Sequence, residues 1–134
     1  MERLIGAWSA DALYSPGTSD EIVCFLKSGE GWIEYLNWGL CEIETFKWWR
    51  NEDGTLNIKG EIVNSINEPS SKSDSVFSNL KISISDGLTS TKANIIIMTV
   101  ENGNLFLTDK YGKLDQHIDI DFFQQRLNLL NKKQ

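Results

Sequence analysis

Few side chains in this sequence have the types and spacing that catalysis demands. His117 is the single histidine. A catalytic triad, a general-base dyad or a histidine-rich metal site each needs more than one imidazole can supply. Its neighbours Gln116 and Ile118 place it near a turn, as a surface residue. Cys41 and His117 would form a thiol–imidazole pair only if the fold joined them, and nothing local does so. Glu42 and Glu44, and again Asp119 and Asp121, stand two apart and so share a strand face. Carboxylates placed in this way suit glycoside hydrolysis or a hard cation, but a solvated outer face accounts for them more simply. Gly29-Glu30-Gly31 is followed by a strand pattern rather than a helix, so it is not a phosphate-binding loop. This pattern predicts a non-enzymatic protein with no cofactor and no metal.

Aromatic residues, by contrast, are concentrated. Trp32, Trp38, Trp48 and Trp49 crowd two successive strand-like segments, with Tyr35 and Phe46 among them. Trp48 and Trp49 are adjacent, so in a strand they point to opposite faces. Inward aromatics either fill a small β-core or line a cavity for an apolar ligand. The inward set predicted to line such a cavity is Tyr14, Leu36, Phe46, Trp48, Ile58, Ile82 and Ile84. Tyr35 joins it if the third strand runs in the other phase. Glu42 and Glu44 share parity with Phe46 and Trp48, so either acids point inward or a bulge resets the strand. An outward tryptophan instead suits a protein-binding surface. A filled interior favours that second reading, and a cavity with an open mouth favours the first.

The elements that must position these residues are short and mostly β. Leu4, Gly6, Trp8, Ala10, Ala12 and Tyr14 alternate with Ile5, Ala7, Ser9, Asp11 and Leu13. Glycine on the face of Trp8 leaves a gap for a neighbouring group, and the indole N–H needs a partner. Ser15 to Ser19 is a loop marked by Pro16 and Gly17. Strands follow at 21–27, 32–38, 41–50 and 55–63, with hairpin signals at Ser28-Gly29-Glu30-Gly31 and Asp53-Gly54. Asn64 to Ser75 is the longest loop. Further strands are expected at 76–86, 93–100 and 105–109, the last two separated by Asn102-Gly103. The C-terminal segment reads as a short strand at Ile118–Phe122 running into a helix, with Asp121 and Gln124 resembling a capping pattern. That helix is expected to cover the apolar outer side near Ile96 and Met98.

The chain of 134 residues is expected to form a single domain. Its net charge of −6 argues against nucleic acid as a partner. No apolar run approaches the roughly 20 residues of a membrane helix. Met1-Glu2-Arg3 leads straight into the strand pattern without an apolar leader, which predicts a cytoplasmic protein. Cys24 and Cys41 fall on the second and fourth strands, which are not neighbours in a sequential sheet, so both are expected as reduced, mostly buried thiols.

Gly6-x-Trp8 opening an all-β chain of this length resembles the lipocalin and calycin group of barrels. The resemblance covers most of the chain and implies an antiparallel up-and-down β-barrel of eight strands, with Trp8 closing the base. It also implies a small apolar or amphipathic ligand inside, in a monomer or homodimer. The late arginine that packs across the tryptophan in that group has Arg126 as its candidate here. The helix pair and terminal Arg-x-Tyr of the fatty-acid-binding branch are absent. The alternative is a protein-binding module, of inhibitor or immunity type or a homodimer, that uses exposed aromatics around a filled core.

Overall fold

The computed structural model describes residues 2–13 and 19–132, with Lys132 described by its backbone alone. Tyr14 and most of the loop after it lie outside the described residues. The elements are β1 (Gly6–Ser9), a 3-10 turn (Asp11–Leu13), β2 (Ser19–Phe25), β3 (Glu30–Asn37), β4 (Leu40–Arg50) and β5 (Leu56–Ser65). They continue as β6 (Ser71–Lys72), β7 (Val76–Leu80), β8 (Ile82–Leu88), β9 (Asn94–Val100), β10 (Lys110–Lys113) and α1 (Ile120–Lys132). Ten strands form one antiparallel sheet in the order β6-β5-β4-β3-β2-β1-β10-β9-β8, and β7 pairs with β5. The first strand of the chain therefore lies inside the sheet, between β2 and β10.

The expected eight-stranded closed barrel is corrected: among the described residues there are ten strands and the sheet does not close. The segment expected as one strand over 76–86 divides into β7, on β5, and β8, on β9. Only Lys81 joins the two, so the sheet ends meet through backbone rather than through a ladder. Two residues before this junction Asn79 is left-handed, with φ 57°. Asn102 holds the junction open, donating to the Asn79 carbonyl at 3.0 Å and accepting from the Lys81 amide at 2.9 Å. Within the long polar loop, β6 adds two residues on Ile62 and Val63. The expected strand at 105–109 is a turn instead, with Phe106 at φ 57°, and pairing begins at Lys110.

The alternation expected from Leu4 onward holds over Gly6–Ser9 and is corrected beyond, where Asp11–Leu13 forms a 3-10 turn. Trp8 is wholly buried in an interior cluster with Phe25, Phe46, Ile58, Met98 and Tyr111, whereas Ala7 packs on the opposite face. The indole Nε1 donates to the Leu4 carbonyl at 2.8 Å. The cation on its ring is Lys113 rather than Arg126: the ammonium lies 4.7 Å from the ring centre and donates to the Ile5 carbonyl at 2.6 Å. The side chain of Lys113 occupies the space that Gly6 leaves by having no Cβ.

Helix α1 covers Ala7, Cys24, Trp32, Leu40 and Ile43 with Phe122, Phe123, Leu127 and Leu130. This corrects the expected cover over Ile96 and Met98: Met98 is interior and Ile96 is exposed. No strand forms at 118–122, because the Asp119 carboxylate accepts the Phe122 amide at 2.8 Å and starts the helix two residues before the expected cap. Arg126 donates to Glu34 through Nε at 3.1 Å and Nη2 at 2.7 Å, and Trp32 Nε1 donates to the same carboxylate at 3.1 Å. Both cysteines are free; Cys24 is buried under the helix and Cys41 is half-buried. Among the described residues, no helix is long and apolar enough to cross a membrane.

Two measurements check this arrangement. Trp8→Ala removes a fully buried indole and is expected to cost about 3–5 kcal/mol in denaturant unfolding; a loss below about 1 kcal/mol would take Trp8 out of the core. Burial pushes the Cys24 thiol well above its usual pKa. A thiol reagent is therefore expected to label Cys41 in the native protein and Cys24 only on unfolding, and equal rates would contradict the helix cover.

Candidate functional site

Five of the eight residues expected to line a cavity do share the interior: Phe46, Trp48, Ile58, Ile82 and Ile84. Leu36 does not. Trp32 lies under α1, so alternation along β3 turns Ile33 and Tyr35 to the interior side, and Leu36 packs with the helix cluster. Tyr35 reaches only the rim, 38% exposed, and Tyr14 lies outside the described residues. The interior itself is filled. Trp8, Phe25, Phe46, Ile58, Met98 and Tyr111 are each at 0% exposure. Edge-on ring contacts join Phe25 to Phe46 and to Trp48 at 5.6 Å, and Phe77 to Phe106 at 4.9 Å. Trp48 Nε1 is shared between the carbonyls of Leu26 and Glu30, at 3.1 and 3.0 Å.

A depression of about 270 Å³ sits at the rim, between Tyr35, Leu107 and the acids Asp11, Asp20 and Glu21. Glu21 forms its floor and is buried. The Tyr111 hydroxyl bonds Glu21 and also lies 2.5 Å from the Leu105 carbonyl. One phenolic proton satisfies only one of two acceptors. The hydroxyl is the donor toward both, so the two acceptors compete for it. Burial pushes the Glu21 pKa up, with the charge of Asp20 adding to the rise. Burial, then Glu21, pushes Tyr111 up as well. The Leu107 amide completes the set at 3.3 Å from Glu21. Asp20 is engaged by the Ser9 hydroxyl at 2.6 Å and by the amides of Asp11 and Glu21 at 2.9 and 2.7 Å. The group ties β2, β10 and the 105–107 turn together.

The other chemistry candidates are dispersed. His117 is largely exposed and stands 3.4 Å from Asp119. The Cys41 thiol faces the Asn37 and Gly39 carbonyls. Glu44 does point inward and is bonded by the Ser73 hydroxyl, while Glu42 accepts from Ser65 at 3.1 Å. The register shift in this ladder lies between Glu44 and Phe46, where β5 supplies the extra residue. Asp119 caps α1 and Asp121 lies in its first turn, so they share no strand face. No group of three metal-ligating side chains occurs among the described residues.

The strongest surface feature combines strands whose contributions sequence spacing does not connect. On the face of β4 opposite Phe46 and Trp48 stand Thr45, Lys47 and Trp49. With Lys59, Glu61 and Ile62 of β5 and Lys72 of β6 they line a depression of about 470 Å³. Trp49 is 48% exposed and Ile62 44%. Lys47 is the direct cross-strand partner of Lys59, and its ammonium lies 3.9 Å from Glu61. The outward Trp49 was legible from its adjacency to Trp48. The lysines around it come from three strands, and only the registers of β4, β5 and β6 bring them together.

Comparison with family models, with curated proteins and with solved structures found no match.

The raised pKa of Glu21 has a pH signature. Folding raises its pKa above the ordinary 4.5, so the folded state holds the proton longer than the unfolded state. Its contribution to stability is therefore greatest below that value and is lost as pH rises through the raised one. Stability measured by denaturant at a series of pH values is expected to fall across this window relative to Glu21→Gln, which keeps a neutral donor. A constant difference between the two proteins would refute the raised pKa.

Proposed function

We propose that the protein is a non-enzymatic binding module that recognises its partner on the outer face of β4–β6 around Trp49. The observation that carries this reading is the filling of the interior: Trp8, Phe25, Phe46 and Tyr111 are wholly buried in one cluster, and Trp48, Phe77 and Phe106 pack against it. Where the inside is occupied by the protein's own rings, recognition falls to the surface. There, a half-exposed tryptophan beside an exposed isoleucine has the composition of an interface centre. A second reading keeps a small apolar ligand within the sheet. The shared interior position of Phe46, Trp48, Ile58, Ile82 and Ile84 favours it, although the Phe106 ring already packs against Phe46 and Phe77 there. Kinship with the lipocalin-like group is likewise a proposal, supported by Gly6-x-Trp8, by the cation on the Trp8 ring and by the antiparallel order of successive strands. A cytoplasmic setting is supported by two unpaired cysteines.

Native mass spectrometry of freshly purified protein, followed by the same sample denatured, separates the two readings. The expected result is the mass of the bare chain in both. Extra mass that disappears on unfolding would overturn the surface reading in favour of an interior ligand. Trp49→Ser is expected to change stability by about 1 kcal/mol or less, as an exposed residue should. A core-like loss would remove Trp49 from the recognition surface.

A further inference from the structure

We infer that the occupant of the Trp49 face is an acidic peptide segment of a partner protein bearing one large apolar side chain. The inference rests on the surface-recognition reading above and names the chemistry of its partner. The chain carries a net charge of −6, yet three lysines from three strands converge on this one depression. Lys47 faces Lys59 directly across the β4–β5 ladder. Like charges in directly opposed positions destabilise a sheet, so the arrangement carries a cost that the fold itself does not require. Glu61 offsets it weakly, because the contact with Lys47 is 3.9 Å long and the Lys47 side chain is largely in water. Among the described residues, neither Lys59 nor Lys72 has an ion pair. An anionic occupant removes this repulsion.

The apolar part of the partner follows from what lies between the charges. Trp49 and Ile62 line the same depression as the lysines. Its volume of about 470 Å³ suits a large side chain flanked by carboxylates. A phosphate backbone fits less well. It is recognised by a continuous basic track, whereas this patch contains Glu61 and sits on an acidic body that repels an extended polyanion. A peptide carries few charges and brings its own apolar anchor, which matches a surface where three lysines outnumber one glutamate around Trp49 and Ile62.

The test uses the full chain and three labelled synthetic peptides, followed by fluorescence anisotropy: Glu and Gly with a central Phe; the same with Lys for Glu; and the same with Gln for Glu. The acidic peptide is expected to bind and to weaken with added salt. Binding should fall about tenfold or more in Lys47→Glu/Lys59→Glu and stay unchanged in Lys110→Glu on β10. Where charge reversal impairs folding, Lys47→Gln/Lys59→Gln replaces it. Trp49→Ser should weaken binding in the same way. Equal binding of the Gln and Glu peptides, abolished by Trp49→Ser, would overturn the acidic partner and leave the surface reading in place. Failure of every peptide to bind a chain of bare native mass would do the same. Tighter binding of a single-stranded oligonucleotide, lost in the lysine variants, would overturn the inference in favour of a polyanion. A salt-sensitive dimer lost in those variants would overturn it in favour of a second copy of the chain. Retained mass in the native spectrum would remove the surface reading itself.

Discussion

Burial of a single indole organises the architecture. Trp8 lies in a dry interior, where its N–H needs an acceptor and its ring needs neighbours on every side. The Leu4 carbonyl provides the acceptor, and Gly6 leaves room for the Lys113 stem, which brings an ammonium over the ring and onward to the Ile5 carbonyl. These contacts fasten the N-terminal segment, β1 and β10 at one point. Because β1 lies between β2 and β10, that point is also where the early and late halves of the sheet join. With Trp8 in place, Phe25, Phe46, Met98 and Tyr111 fill the remaining interior.

The strands near this joint are dry on both faces. Ala7, Cys24, Trp32 and Ile43 lie under α1, while the alternate residues Trp8, Val23, Ile33 and Phe46 face inward. Apolar area holds the helix on the sheet, and the Arg126–Glu34 pair fixes its position. The Glu34 carboxylate is almost completely out of water, and removing its guanidinium would strand a buried charge. The start of the helix, at Ile120 and Phe123, borders Thr45, and the cover ends there. Trp49 stands further along the same strand, where the outer face of the sheet is bare. The position of the helix thus determines which aromatic is core and which is surface.

Much of this was legible because period-two alternation is a strong signal. It placed Trp8, Phe46, Trp48, Ile58, Ile82 and Ile84 on the interior side, set Trp49 on the other, and kept the cysteines apart. It failed where backbone geometry or a distant side chain decides. A run that reads as one strand divides at Lys81 because Asn102, from another turn, bonds both Asn79 and Lys81. Phe106 occupies a left-handed position that no β-pattern announces. The phase of β3 depended on whether Trp32 had a helix above it. Lys113 rather than Arg126 covers Trp8 because Arg126 is committed to Glu34. The lysine patch was hidden for a similar reason, since register rather than spacing creates it.

The joint between β1 and β10 also governs how the chain can fold as it is made. Ile5 and Lys113, which meet in the finished protein, are 108 positions apart. A ribosome elongating at about 5–20 residues per second takes roughly 5 to 20 seconds to span that distance. The successive hairpins from β2 to β5 need only local partners and can form on the nascent chain. The strand bearing Trp8 can pair with β2, but its other edge stays open until β10 emerges. Closure of the core is therefore a late, long-range event. In the meantime the Trp8 ring waits in a half-built sheet, the stage at which a chaperone would have most to protect.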